Sequence, residues 1–231
     1  MKNLNIFSLV AEYENTKSGG VLNKPNVSFI NEDSSVRYLT DIKYKYVDLG
    51  LSVKWATCNV GARSPEQAGL YFAWGETTGY TAEQVPGVRG FTQNEYNRGP
   101  AASIYKNLTL EHDAAHICMG GNWRMPTKAE YQELLDNCNM VWTDDYNGTG
   151  MAGWVFTSKV NGNSVFFPVA GICHSSSVNG VGSDGYYWSA SWDSSSSARD
   201  SCAWYLYLSK WRHHMNNGGR NTGDMVRAVC E

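Results

Sequence analysis

The stretch Met125–Asn139, "MPTKAEYQELLDNCN", predicts a helix and stands where the chain changes its pattern. Thr127 and Glu130 have the spacing of a capping box, in which each side chain accepts a hydrogen bond from the other residue's backbone N–H. Tyr131, Leu134, Leu135 and Cys138 then fall on one face. Just upstream, "LTLEHDAAHICMGG" (108–121) predicts a second helix. Thr109 is its N-cap, Ala114, Ile117 and Cys118 are its apolar residues, and Gly120-Gly121 is its stop. Downstream the sequence reads as strands and turns to the end: "MVWTD" (140–144), "GWVFTSK" (153–159), "SVFFPVAGI" (164–172), "GYYWSAS" (185–191), "AWYLYLS" (203–209) and "MVRAVCE" (225–231). Strands, two helices and then a run of antiparallel strands imply an α+β fold.

Working toward the amino terminus, "YVDLGLSVKWATCNVGA" (46–62) and "AGLYFAWGETTGY" (68–80) each carry a strand and a Gly turn. Residues 80 to 103 turn to Gly, Pro, Asn and Thr with little periodicity, which reads as a long loop. The chain divides near residue 45. "LNIFSLVAEY" (4–13), "NVSFIN" (26–31) and "VRYLTDIKYKYV" (36–47) read as short strands without helical period. Residues 1–44 are therefore expected to form a small β appendage, and 45–231 the main domain. A lone piece of two or three strands is marginal in water, so attachment or oligomerisation is its expected role, with trimer and monomer both open.

Composition narrows the function. The 231 residues include nine Trp and fourteen Tyr and are 42% apolar, enough for a sizeable core. With a net charge of −3 and no Lys/Arg run longer than a pair, the chain offers no electrostatic footprint for a polyanion, so nucleic acid is not an expected partner. The opening residues alternate apolar and polar and meet Glu12 and Glu14 early, unlike a secretory signal. No run reaches membrane-spanning length, so membrane insertion is not expected and synthesis in the cytoplasm is. Six cysteines without a C-x-x-C pair read as mostly reduced thiols in a chain large enough to need no staples. Sequons at Asn26, Asn107 and Asn147 carry little meaning without a secretory route.

From Trp188 to the end, aromatic residues at strand-like spacing alternate with blocks of Ser, Asp, His, Asn and Gly. Trp188, Trp204, Leu206, Leu208, Met225, Val226 and Val229 form an apolar ladder of period two, expected to turn inward. The polar neighbours are expected to face solvent. Tyr and Trp supply rigid amphipathic contact area, and Ser, Gly and Asn adaptable hydrogen bonding, the mixture found in antibody loops.

The ordered motifs "YVDLGLSVKWATCNVGA…YFAWGET", "GGNWRMPTKAEYQELLDNC", "FFPVAGI", "GYYWSAS" and "VRAVCE" resemble C-type-lectin-fold domains of Bacteroidetes and their phages, related to the formylglycine-generating-enzyme branch of that fold. The resemblance spans roughly Tyr46 to Glu231. Within that branch the tail, about 186–231, is similar to the variable region of a diversity-generating retroelement target protein, in which template adenines are mutated during reverse transcription. An Asn codon AAC or AAT altered only at adenines can yield Ser, Asp, His, Tyr, Gly, Thr, Cys or Arg, and these residues crowd Asp193–Ser201 and His213–Thr222. The resemblance thus implies a non-enzymatic binding protein without cofactor or metal. Its exposed, variable contacts would be Ser191, Trp192, Asp193, Ser194, Ser195, Ser196, Asp200, Ser201, Tyr205, Trp211, His213, His214, Asn216, Asn217, Asn221 and Thr222. Trp192 and Trp211 cannot arise from AAC or AAT, so they are fixed or come from other template codons. The ligand would be a bacterial surface protein or glycan, and the protein would be displayed by a phage or prophage tail. An undiversified surface or structural module of the same fold is the alternative.

Other chemistries find less support. His112, Asp113 and His116 form H-D-x-x-H on the predicted helix, where two histidines could face one metal, but no third ligand has an obvious place. His213 and His214 would point to opposite faces if extended, and so make no chelate by themselves. The Glu-Pro-Asn or Gln-Pro-Asp and Trp-Asn-Asp triplets of calcium-dependent lectins do not occur. Formylglycine-generating enzymes use a reactive cysteine pair; Cys202 and Cys230 lie in the right half of the chain but match no such motif. "DSSSSARD" (193–200) has no accompanying His/Asp arrangement that would single out a nucleophile.

Overall fold

The computed structural model describes residues 28–30, 36–38, 44–85, 107–174, 176–195 and 202–231. The chain separates into two units, Met1–Lys43 and Tyr44–Glu231. In the first, β1 (Ser28–Ile30) and β2 (Val36–Tyr38) pair antiparallel. The strand expected over 4–13 and most of the loop expected over 80–103 lie outside the described residues.

The second unit is α+β, with two helices and mostly antiparallel sheets. Strands β3 (Tyr46–Val47) and β4 (Lys54–Ala56) pair with each other, and β4 also takes β15 (Val229–Cys230) from the far end of the chain. A second sheet is the meander β6 (Cys138–Thr143), β7 (Gly153–Ser158) and β8 (Ser164–Pro168). The largest sheet runs in the order β10 (Ser177–Val181), β9 (Ala170–His174), β11 (Asp184–Trp192), β12 (Cys202–Ser209), β13 (Arg212–Gly219). The short β14 (Asp224–Met225) joins it, pairing with β11 and with β5 (Tyr71–Phe72). The β11–β9 and β11–β14 pairings are parallel.

Helix α2 (Lys128–Asn137) begins as its sequence predicts. Thr127 Oγ1 accepts from the Glu130 N–H at 3.2 Å, and Glu130 Oε2 accepts from the Thr127 N–H at 2.7 Å. Arg124 adds a two-pronged ion pair to the same carboxylate, at 2.6 and 2.9 Å. Helix α2 lies against β11, β12 and β13, and its Tyr131 and Leu134 are buried with Trp55, Phe156, Phe167, Tyr187, Leu206, Leu208, Met225 and Val229. This is the main core.

Two expectations about local structure are corrected. The first helix does not start at Thr109, whose side chain makes no capping bond. Leu110–His112 forms a single 3-10 turn, and α1 (Ala114–Met119) begins after Asp113. The buried Asp113 carboxylate accepts from the His116 N–H at 2.9 Å and the Met125 N–H at 2.8 Å, so it satisfies one helical orphan and pins the following loop. The helix then stops at Gly120, whose φ of 69° lies in the left-handed region that glycine adopts freely. The second correction concerns 212–219. "RHHMNNGG" is absent from the strands expected of the sequence, since Asn and Gly are poor strand formers, yet it is β13, held along its whole length by register with β12 from Cys202↔Gly219 to Ser209↔Arg212.

Candidate functional site

The register of β11, β12 and β13 sorts the tail into two faces, because residues directly opposite each other in a ladder share a side. Inward lie Tyr187 of β11, Leu206 and Leu208 of β12 and Met215 of β13. Outward lie Asp184, Tyr186 and Trp188 of β11, Tyr205 and Tyr207 of β12, and Arg212, His214 and Asn216 of β13. Trp188 is fully buried and donates from Nε1 to the Phe72 carbonyl at 2.9 Å, so it forms the floor of this face. Above it the aromatic rings contact one another. Tyr205 meets Trp188 at 5.8 Å and Tyr186 at 5.5 Å between centroids; Tyr207 meets Tyr186 at 5.2 Å and His214 at 5.4 Å. Gly218 sits beside them because a Cβ there would stand 2.9 Å from the Tyr205 ring.

Three half-buried tyrosines, an exposed imidazole and a half-buried amide therefore form one outward surface. Tyr207 donates from its hydroxyl to Asp184 Oδ1 at 2.5 Å, which fixes its ring. Burial is the main influence on all three phenols. It pushes Tyr186 up to about 12 and raises Tyr205 and Tyr207 as well, with nearby carboxylates adding to the effect. They stay neutral at physiological pH, able both to donate and to accept. Such a surface can stack on, and hydrogen-bond to, a ligand at little entropic cost, since each tyrosine has only two side-chain torsions.

The expected contact residues do not all belong to it. Tyr205, His214 and Asn216 do. His213 faces the other way, edge-on to Trp154 at 5.2 Å, so the two adjacent histidines point to opposite sides. Asn217 also lies on the inward side of β13, where its amide donates to Asp193 Oδ2 at 2.6 Å. Trp211 is 85% exposed at the β12–β13 turn. Asn221, exposed, and Thr222, half-buried, follow β13 at the opposite end, roughly 24 Å away along an eight-residue strand. Ser196, Asp200 and Ser201 lie outside the described residues.

Exposure is corrected at several positions. Asp193 is 2% exposed, accepting from the Ser195 N–H at 2.9 Å, the Ser195 hydroxyl at 3.0 Å and Asn217. Its carboxylate tethers the β11–β12 connection to β13. Ser191 is half-buried, its hydroxyl accepting from the Lys128 N–H at 3.0 Å at the start of α2, and the half-buried Trp192 donates its N–H to Asn107 Oδ1 at 3.3 Å. Ser194 and Ser195 are exposed, whereas Thr222 donates to Asp224 Oδ1 at 3.0 Å. On the apolar ladder, Trp204 is half-buried rather than enclosed. It lies beyond Leu206 at the rim of the core, where the Lys128 ammonium covers its ring at 3.1 Å from the centroid.

Sequence reasoning left out Asp184, Tyr186, Tyr207 and Arg212 from this face. The signal for Tyr207 was present, since it stands two residues from Tyr205 in "AWYLYLS" and alternation puts both on one side. Arg212 required knowing that β13 is a strand.

The rival chemistries are placed as well. His112 sits in the 3-10 turn before the Asp113 cap, and His116 in α1 contacts the Trp123 carbonyl through Nδ1 at 3.2 Å, so the two are not one helical turn apart on one helix. All six cysteines are free, and Cys202 and Cys230 stand on different sheets. Comparison of the chain with protein-family models, curated proteins and solved structures gave no match.

Proposed function

We propose that Tyr44–Glu231 is a C-type-lectin-fold domain of the retroelement-diversified kind and that it binds its ligand through the outward face of β11, β12 and β13. The observation that carries this reading is the alternation along β12 and β13. Outward Tyr205, Tyr207, His214 and Asn216 are all reachable from an AAC or AAT codon by changing adenines alone. Inward Trp204 and Met215 are not, and Leu206 and Leu208 need both adenines changed where the outward tyrosines and histidine need only one. Codon chemistry and side-chain direction thus coincide over two strands. The inward positions that break the rule, His213 and Asn217, are on an edge strand and are exposed and half-buried respectively. The closure of β3 and β4 with β15, with two helices and the larger sheet between them in the chain, supports the lectin-type architecture.

In this reading the protein is not an enzyme. Its ligand is a bacterial surface protein or glycan, its setting a phage or prophage tail, and the first unit serves for attachment or assembly. The bound Asp193 favours a second reading, an undiversified interaction module, at least for the β11–β12 connection, because a carboxylate holding three hydrogen bonds, from Ser195 and Asn217, is not free to vary. Sequencing many copies of the gene from a growing population that carries it separates the two. Adenine-restricted substitutions at codons 205, 207, 214 and 216, with codons 204, 206, 208 and 215 constant, are the expected result. Uniform sequence at all eight, with no template repeat beside the gene, would leave the undiversified module.

A further inference from the structure

The turn between β12 and β13 presents a second surface of different chemistry. Trp211 at its tip is 85% exposed, the most exposed large hydrophobic side chain among the described residues. Next to it Lys210 reaches across to Asp144, its ammonium 3.0 Å from both carboxylate oxygens. The Trp142 indole N–H also donates to Asp144 Oδ1, at 2.7 Å. The same ammonium stands 6.0 Å from the centroids of both Trp142 and Trp211, so two indoles flank the ion pair. Behind them Trp142 packs edge-on to Trp154 at 5.5 Å, and Trp154 donates from Nε1 to the Ser209 carbonyl at 3.0 Å. The platform is thereby anchored to β12, next to the turn that carries Trp211.

Three features select the ligand. The exposed apolar area is one indole beside polar groups, since Val141, though exposed, alternates to the other side of β6 from Trp142. That is far less than the several hundred Å² of contiguous apolar surface that marks a protein interface. The donor and acceptor at its rim are held by each other and by Trp142, so binding costs little side-chain ordering. Paired, they are neutral and so favour an uncharged ligand. A pyranose ring has the matching form, with a face of C–H groups and an edge of hydroxyls.

We propose that the Trp211 tip is a saccharide subsite, in which a neutral pyranose stacks its C–H face on the Trp211 indole and shares its hydroxyls between Lys210 and Asp144. The assignment rests on the reading of the chain as a binding protein and names the chemical class of one ligand at a place separate from the tyrosine face.

Cellotriose, N,N′,N″-triacetylchitotriose and maltotriose titrated into the full chain, with tryptophan emission and saturation-transfer NMR as readouts, test it. At least one should bind saturably. Binding should be abolished by Trp211→Ala and weakened about tenfold by Asp144→Ala, the worth of one good hydrogen bond. Tyr205→Ser should leave it unchanged. Trp211→Ala removes an exposed side chain and should keep the native melting temperature, so loss of binding is not loss of fold. Indifference to all three saccharides, whether or not the tip captures a protein, or binding that survives Trp211→Ala, would overturn the assignment. Adenine-restricted variation on the tyrosine face would still stand in that event, and only the saccharide subsite would be withdrawn.

Discussion

Asp224 is a residue at which burial has a large electrostatic consequence. Its side chain is fully enclosed in β14, near Tyr186 and Tyr205, with Thr222 its hydrogen-bonding partner through Oδ1. Burial pushes the carboxyl up to about 8 from 3.8, and the Thr222 hydroxyl opposes this only in part. The folded chain therefore holds a proton that the unfolded chain releases between those two values. Where the native state binds more protons, stability falls as pH rises, so this group's contribution declines from about pH 4 to pH 8 and is level beyond. Asp224→Asn keeps the shape and removes the titration. Its melting temperature should fall less than the parent's between pH 5 and pH 8; parallel slopes would show that Asp224 is already ionised at neutral pH in the fold. Nothing local in "NTGDMVRAVC" (221–230) announces this, because the enclosing Phe72 and Tyr186 strands are distant in sequence.

At the scale of elements, what was legible was what is local. The Thr127–Glu130 box and the Tyr131/Leu134 face of α2 lie within one helix, and both are visible in its sequence. The start of α1 was misread because Asp113 and Thr109 are both good caps, and the choice depends on the Met125 N–H twelve residues away. β13 was not among the expected strands because a ladder with β12, not propensity, makes it one. That pairing also gives the β11–β12 connection its anchor, through Asp193 and Asn217, which are 24 positions apart. Asp193→Ala should cost about 1.5–3 kcal/mol in denaturant unfolding, the range for hydrogen bonds to a buried charged group. A change under about 0.5 kcal/mol, as at an ordinary exposed site, would mean that Asp193 is solvated and the tether absent.

For the whole second unit, the alternation of buried and outward residues along β12 was legible and the geometry of the tail was not. Alternation in "AWYLYLS" separates Leu206 and Leu208 from Tyr205 and Tyr207, and the core follows it. Which polar residues share a surface depended on the β12–β13 register, and the register places Trp211 and Asn221 at opposite ends of a strand. The expected contact set therefore resolves into a tyrosine face, a tip and a tethered connection. The central claim is that the two sides of β12 and β13 differ in kind, one holding the fold and the other free to change. Guanidinium unfolding of single variants on those two strands tests it most directly. His214→Ser and Asn216→Ser should shift stability by no more than about 0.5 kcal/mol, and Tyr207→Ser by about 1 kcal/mol for its lost ring contacts. Leu206→Ala and Leu208→Ala should each cost about 2–5 kcal/mol through lost burial and the cavity left behind. Outward substitutions as damaging as the inward ones would contradict the account, because a surface that the fold depends on cannot be the one that varies.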